Sequence, residues 1–306
     1  MNRISTSGAH AALVQYMLKN ESALNSAEVQ EATSAKATTY AGLAATGVGG
    51  NVKLLVNLES EVSYSSTLIT NADTAVTKID AIASDITSIS SIATSLKTAI
   101  SEAMSTDQTS RSTYQEEASG WLTDVASILN DTYGGQYLFG GSDTNHAPVS
   151  VDSATYPAQT SSSSADTSYY SGDDTLATVR LSSTQSVSYG VTAGDPSIEK
   201  LMRALSMISN TNPLDDTTLT TALDLVNDAS DGLSDIGQTL SDTSSRIQTA
   251  SSHLSDINSF ATTQSSDLKS VDLAEVSTTV TTLQTSLEAT MQAIAASQKM
   301  SLANYL

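Results

Sequence analysis

The sequence predicts a mainly α protein in which long antiparallel helical rods form a coiled-coil-like bundle, the terminal helices pair, and a small β insertion interrupts the rods. Three observations carry this. From Leu219 to Ala261 apolar residues recur every seventh place (Leu219, Val226, Leu233, Leu240, Ile247, Leu254, Ala261), and Ala222, Ala229, Ile236, Thr243, Ala250 and Ile257 follow three places behind. A 3-4 spacing kept over six heptads marks a long helix with one narrow seam. At 1.5 Å per residue such a rod is about 65 Å long, too long for one compact globule, and it needs a partner of similar length. From Asn51 to Met104 a second series (Leu58, Ala72, Ile79, Ile86, Ala93, Ile100) runs with Ile82, Ile89 and Leu96, and Ser65 is its polar outsider. The third observation is a break in character: Ser142 to Gly194 is dominated by Ser, Thr, Asp, Gly and Tyr.

The elements follow in order. Residues 1–35 carry Leu13, Met17, Leu24 and Ala27 on one helical face, with Ser5 to Ser7 as candidate N-caps. Thr33 to Gly50 turns to small residues and ends in Gly47, Gly49 and Gly50, which predicts a loop or hinge. No Lys and Ser/Thr pair follows those glycines in the order a phosphate-binding loop requires. After the first rod, Thr106 to Arg111 reads as a turn. Ser112 to Asn130 reads as a helix with Ala118, Trp121, Leu122, Val125, Ile128 and Leu129 inward, and Trp121 as a core anchor. Gly134 and Gly135 are expected to end that helix, and Gln136 to Phe139 to form a short strand closed by Gly140 and Gly141.

Within 142–194, Thr175 to Leu181 and Gln185 to Val191 look like strands, while the Tyr169–Tyr170 pair and the run Ser161 to Ser164 suggest an outward-facing, solvated decoration that the rods do not need. Pro196 opens a helix to Ile208, and Asn212 with Pro213 marks the turn into the long rod. Asp215 and Asp216 sit where acidic residues complement a helix N-terminus. Leu273, Val276, Val280, Leu283, Leu287, Met291 and Ile294 build a last amphipathic helix. The resulting division is 1–35 with 270–306 as terminal helices, 36–141 with 195–269 as the rod domain, and 142–194 as the insertion.

Composition limits the function. The chain has 306 residues and a formal net charge of −20, with 13 basic residues that cluster nowhere. Such a surface repels phosphate backbones and anionic lipid, so neither nucleic acid nor membrane is expected as a partner. The absence of cysteine excludes disulfides and thiolate metal sites. No apolar run reaches membrane-spanning length. The stretch Ala11 to Leu18 is broken by Gln15 and does not read as a cleaved signal peptide. His10, His146 and His253 lie in unrelated contexts, and His253 falls on the polar side of the long rod. The pairs Asp173–Asp174 and Asp215–Asp216 lack metal-loop spacing. No catalytic residue, cofactor or metal is expected, and the extended architecture favours a structural part over an enzyme.

Three local stretches carry a resemblance. Met1, Asn2, Arg3, Ile4, Ser5, Thr6, Ser7 at the start, Gly135 to Gly141 with Pro148 after the third helix, and Leu302, Ala303, Asn304, Tyr305, Leu306 at the end are similar to the flagellin superfamily, and within it to the hook-associated protein 3 type. Where that family often has a Gly-basic pair and an Asp-Asp-Pro turn, this chain has Ser34, Ala35, Lys36 and then Tyr40, Ala41, Gly42. The resemblance implies a protein at the hook-filament junction, extracellular on the bacterial flagellum. It implies type III export, without a cleaved signal peptide and with an export chaperone. It also implies terminal helices that pair in the assembled tube, and a ring of copies between hook-associated protein 1 and flagellin. The assembly interface is then expected at Leu13, Met17, Leu24, Val276, Val280, Leu283, Leu287, Met291, Ile294, Leu302 and Leu306. Filament flagellin and an unrelated secreted coiled-coil protein stay open as alternatives.

Overall fold

The computed structural model describes residues 6–45 and 49–303. Among the described residues seven α-helices and two small hairpins follow one another, with a 3-10 turn at Gln108–Ser110: α1 (Thr6–Thr33), α2 (Tyr40–Leu43), α3 (Gly49–Met104), α4 (Ser112–Ile128), β1 (Thr132–Tyr133), β2 (Gln136–Tyr137), β3 (Ala177–Arg180), β4 (Ser186–Tyr189), α5 (Pro196–Asn210), α6 (Asp216–Lys269) and α7 (Leu273–Ala303). The architecture is mainly α with long helices and a small β part. Two compact units divide it, Met1–Tyr64 with Ile257–Leu306, and Ser65–Asp256; they are called unit 1 and unit 2 below.

A chain this rich in Ser and Thr forms long helices because its hydroxyls have a local partner. Along α3, Thr70, Thr74, Thr87, Ser91, Thr94 and Thr98 each donate to the carbonyl four residues back, at 2.8–3.1 Å. The hydroxyl is satisfied without leaving the helix, and the seam supplies the stability. Caps set the starts. Asp195 Oδ1 accepts from Ser197 N at 2.8 Å ahead of Pro196, Asp215 Oδ1 from Thr218 N at 2.7 Å, and Asp272 Oδ1 from Ala274 N at 2.9 Å.

In unit 2 the two heptad series meet as read from the sequence. Ala72, Ile79, Ile82, Ile86, Ile89, Ala93, Leu96 and Ile100 of α3 share one core with Leu219, Ala222, Val226, Ala229, Leu233, Leu240 and Ile247 of α6. Ser251 Oγ donates to Asp73 Oδ1 at 3.3 Å across the pair. Ser65 is fully buried in the seam. Ser244, on the rod's polar side by spacing, is also buried, and it accepts from Gln248 Nε2 at 3.1 Å. α4 packs on α5, and Trp121 lies half-buried against the core. Arg111, buried, donates to Leu214 O at 2.9 Å and pairs with Asp216 at 2.7 Å, which ties the turn before α4 to the start of α6.

Three expectations change. Gly49 and Gly50 begin α3, and a single helical turn, α2, sits inside the expected loop; Gly47 lies outside the described residues. Gly134 and Gly135 do not end α4, which stops at Ile128. At φ 60° and 79° they are the two-residue turn of the β1–β2 hairpin, a geometry glycine adopts without strain. The third change concerns 142–194. Its two strand-like stretches do form strands, Ala177 to Arg180 pairing antiparallel with Tyr189 to Ser186, but Val149, Tyr156, Tyr169, Val179, Leu181, Val187 and Ala193 are buried in the same core as the rods. Tyr169 does not face outward: it is 1% exposed, its ring meets Tyr156 edge-on at 5.3 Å, and its hydroxyl donates to Ala193 O at 2.9 Å. Alternating side chains of a short hairpin and two aromatic rings bury enough apolar area to join a core despite the polar composition around them.

Candidate assembly interface

The residues expected at the assembly interface fall in the sequence of unit 1. α1 and α7 pack antiparallel, with Ala27, Val276 and Val280 buried and Leu24, Val271 and Leu283 packed around them. Leu13, Met17, Leu287 and Ile294 are half-buried. The 4-3 spacing of α7 runs 276, 280, 283, 287, 290, 294, so the seam position next to Leu287 is Thr290, 6% exposed, while Met291 and Leu273 stay about half exposed. Leu302 falls in the last turn of α7; Leu306, Asn304 and Tyr305, like Met1 to Ser5, lie outside the described residues, and Ser7 lies within α1.

The seam also contains polar side chains that an apolar reading passes over. Asn20 is buried on α1 between Met17 and Leu24, and its Nδ2 donates to Ser286 Oγ at 2.9 Å. Thr290 Oγ1 donates to Ser286 O at 2.6 Å. Position 20 follows Leu13 by seven, so the heptad count finds it where hydropathy does not.

A clasp joins the inner ends of these helices. Ser34 takes φ 53° at the end of α1. Beyond it Ala35 bridges Ser270, Lys36 N donates to Lys269 O at 2.7 Å, and Val271 N to Ser34 O at 3.2 Å. Lys36 Nζ reaches Leu268 O at 3.3 Å and Asp267 O at 3.4 Å. A cation on the last carbonyls of α6 is where the helix dipole favours it. This is the position at which the sequence departs from the family turn, and Lys36 serves there as a C-cap. Beside it Tyr40 and Lys269 both hydrogen-bond Glu59, which lowers the Glu59 carboxyl below its usual range and raises the Tyr40 hydroxyl.

The stretch Gly135 to Gly141 packs by backbone proximity. A Cβ on Gly141, which has φ 71°, would stand 2.1 Å from Asp173 O. Asp173 accepts from Ser142 N at 2.9 Å, from Thr175 N at 2.8 Å and from the Ser142 hydroxyl, and these bonds hold its carboxyl at about 2. Asp173 is therefore a loop staple. Of the histidines, His253 is exposed and His146 Nδ1 meets Asp143 at the surface, 3.0 Å away. Among the described residues no three His, Cys, Asp or Glu side chains converge as a metal site, and no helix is long and apolar enough to cross a membrane.

Surface chemistry separates the units. Unit 2 carries 24 acidic and seven basic residues, a net −17, while unit 1 carries nine and six, a net −3. Exposed large apolar side chains among the described residues fall mostly in unit 1: Tyr16, Leu18, Val29, Leu54, Val56, Phe260 and Met291, with Phe260 65% exposed.

The comparisons with known proteins agree with this arrangement. Residues 223–306 match the family model of the bacterial flagellin C-terminal helical region. A solved Vibrio parahaemolyticus protein with an inferred flagellar hook-associated role superposes with TM-score 0.59 and 16% identity, over 71% of this chain and 96% of that one. Bacillus cereus FlgL is similar at TM-score 0.42 and 14% identity, over 71% of this chain and 97% of that one. The likeness of fold rests on the first of the two. No curated protein matches in sequence. Residues 223–306 are thus similar to the flagellin C-terminal helical region, and the fold is similar to that of the Vibrio parahaemolyticus protein.

Proposed function

We propose that the chain is a structural, non-enzymatic part of the bacterial flagellum that joins hook to filament, assembling as a ring through its terminal helices between hook-associated protein 1 and flagellin. The observation that carries this reading is the exposed apolar surface of unit 1. A low-charge unit that leaves Leu18, Leu54, Val56 and Phe260 in water has surface to bury against neighbours. Leu13, Met17, Leu24, Val276, Val280, Leu283, Leu287 and Ile294 then serve to hold α1 on α7, while Met291 and the exposed residues of α1 meet the next subunit. The protein reaches the outside of the cell through the flagellar type III channel, escorted by an export chaperone.

Filament flagellin is the second reading, because the family matched over 223–306 is that of flagellin. Two experiments separate them. Deleting the gene should leave hooks on the cell and flagellin in the medium. Concentrated purified protein, seeded with sheared filament ends, should stay monomeric or form small oligomers under the electron microscope. Micrometre-long homopolymers would overturn the junction reading and promote the flagellin one.

A further inference from the structure

Unit 2 has a groove of about 440 Å³ whose lining includes Leu176, Val191 and Ile236 together with Asp174, Asp195 and Asp235. Asp195 is occupied as the cap of α5. Asp174 and Asp235 are exposed and have no ion pair among the described residues. The same unit has few free cations. Arg111, Lys200 and Arg203 are paired with Asp216, Asp228 and Glu199, and Lys78 donates to Gln136. Arg180, Lys97 and Arg246 remain, all exposed.

Arg180 ends β3, paired with Ser186 at the far end of the hairpin whose base lines the groove. Four residues separate it from Leu176, roughly 13 Å along a strand, so it does not fold back into its own groove. Arg246 stands eleven residues from Asp235 on α6, about 16 Å along the helix, also out of reach. Each copy thus presents an acidic groove and, displaced from it, a guanidinium on an apolar stem with no ion pair among the described residues. A surface that is complementary to another patch of the same molecule, but not to itself, makes a head-to-tail contact, the kind that closes into a ring.

We propose that Arg180 of one copy seats in this groove of the next, its methylene stem on Leu176, Val191 and Ile236 and its guanidinium between Asp174 and Asp235. The stem matches the apolar lining and the planar fork matches two carboxylates. The contact also offsets locally the repulsion between units of charge −17 brought side by side. It rests on the ring reading above and specifies which surfaces of unit 2 face each other.

The test uses the full chain, which has no cysteine of its own. Arg180→Cys combined with Asp235→Cys, treated in flagellated cells or in concentrated purified protein with a thiol-to-thiol cross-linker long enough to replace the arginine stem, should give a ladder of cross-linked multimers of this chain; either single variant should give none beyond a dimer. Arg180→Glu or Asp235→Arg should each lower filament attachment about tenfold, and the charge-swapped double variant should restore it. Both positions are exposed, so melting of the variants should match that of the parent. No ladder, or a double variant as defective as the singles, would overturn the contact. So would cross-links from the Asp235→Cys thiol to a different protein, or a defect produced by Arg246→Glu or Lys97→Glu but not by Arg180→Glu. If deleting the gene left filaments attached, the junction reading would fail instead, and the purified-protein ladder would still decide the contact.

Discussion

Replacing Leu233 by Asp tests whether the seam of α6 carries the stability of unit 2. Leu233 is 1% exposed and lies in the shared core. Removing its side chain from that core costs about 2–5 kcal/mol by the usual range for buried leucines. An unpartnered carboxyl, protonated or not, adds roughly 1–3 kcal/mol. Relaxation is blocked next door, because a Cβ on Gly232 would stand 2.1 Å from Ser197 Oγ, so α5 and α6 already touch there and the helix has no slack to shift. The total, about 3–8 kcal/mol, is a large part of what a domain has. The single tryptophan, Trp121, packs against this core and reports unit 2 alone. With a urea dependence of roughly 3 kcal/mol per M, the fluorescence midpoint should fall by about 1 M or more. Ser241→Asp, two turns on and exposed, should move it by less than about 0.2 M. Equal midpoints for the two variants would refute the seam.

Three further outcomes are expected. Asp85 is pushed up to about 6 by burial and then by the charge of Asp131; a raised folded pKa gives stability that is complete below about pH 4 and lost as pH rises through 6. Unit 2 should therefore melt higher at pH 5 than at pH 7.5, and Asp85→Asn should flatten that slope by about 1 kcal/mol, the full shift being discounted for a partly exposed site. Tyr156→Phe removes a buried hydroxyl that has no hydrogen-bond partner and should be neutral or stabilising by about 1 kcal/mol, whereas Tyr169→Phe leaves Ala193 O unpaired and should cost about as much; thermal melts of the two decide it. Gly120, exposed on α4 with open space where a methyl would stand, should gain about 0.5–1 kcal/mol in urea titrations as Gly120→Ala.

Most of the helical architecture was legible because a long seam repeats its signal. Leu219 to Ala261 offers seven buried positions at a fixed interval, and one polar intruder such as Ser65 cannot hide a period that long. What escaped was either short or polar. Tyr156 and Tyr169 belong to no period, and their burial depends on Ala193 and Val149, far along the chain. Asn20 and Thr290 are polar residues at seam positions, so hydropathy and register disagree there, and register prevails because a helix cannot turn one residue out without moving its neighbours. The clasp was hidden for another reason: its bonds from Lys36 and Val271 are mostly backbone or backbone-directed, and side-chain type barely encodes them.

The two seams differ in a way that bears on function. Unit 2 closes on Ile and Leu, whereas the α1–α7 pair closes on valines, alanine and a hydrogen-bonded asparagine. A buried Asn at a seam position fixes register and partner at a cost in stability. The terminal pair is thus specified more by pairing geometry than by apolar burial, while its outer surface, with Tyr16, Leu18 and Met291 in water, still has area to bury. In the ring proposed above, a part whose ends must align with the copies beside it would gain from that division: register set inside the pair by Asn20 and Ser286, with the exposed surface left for its neighbours.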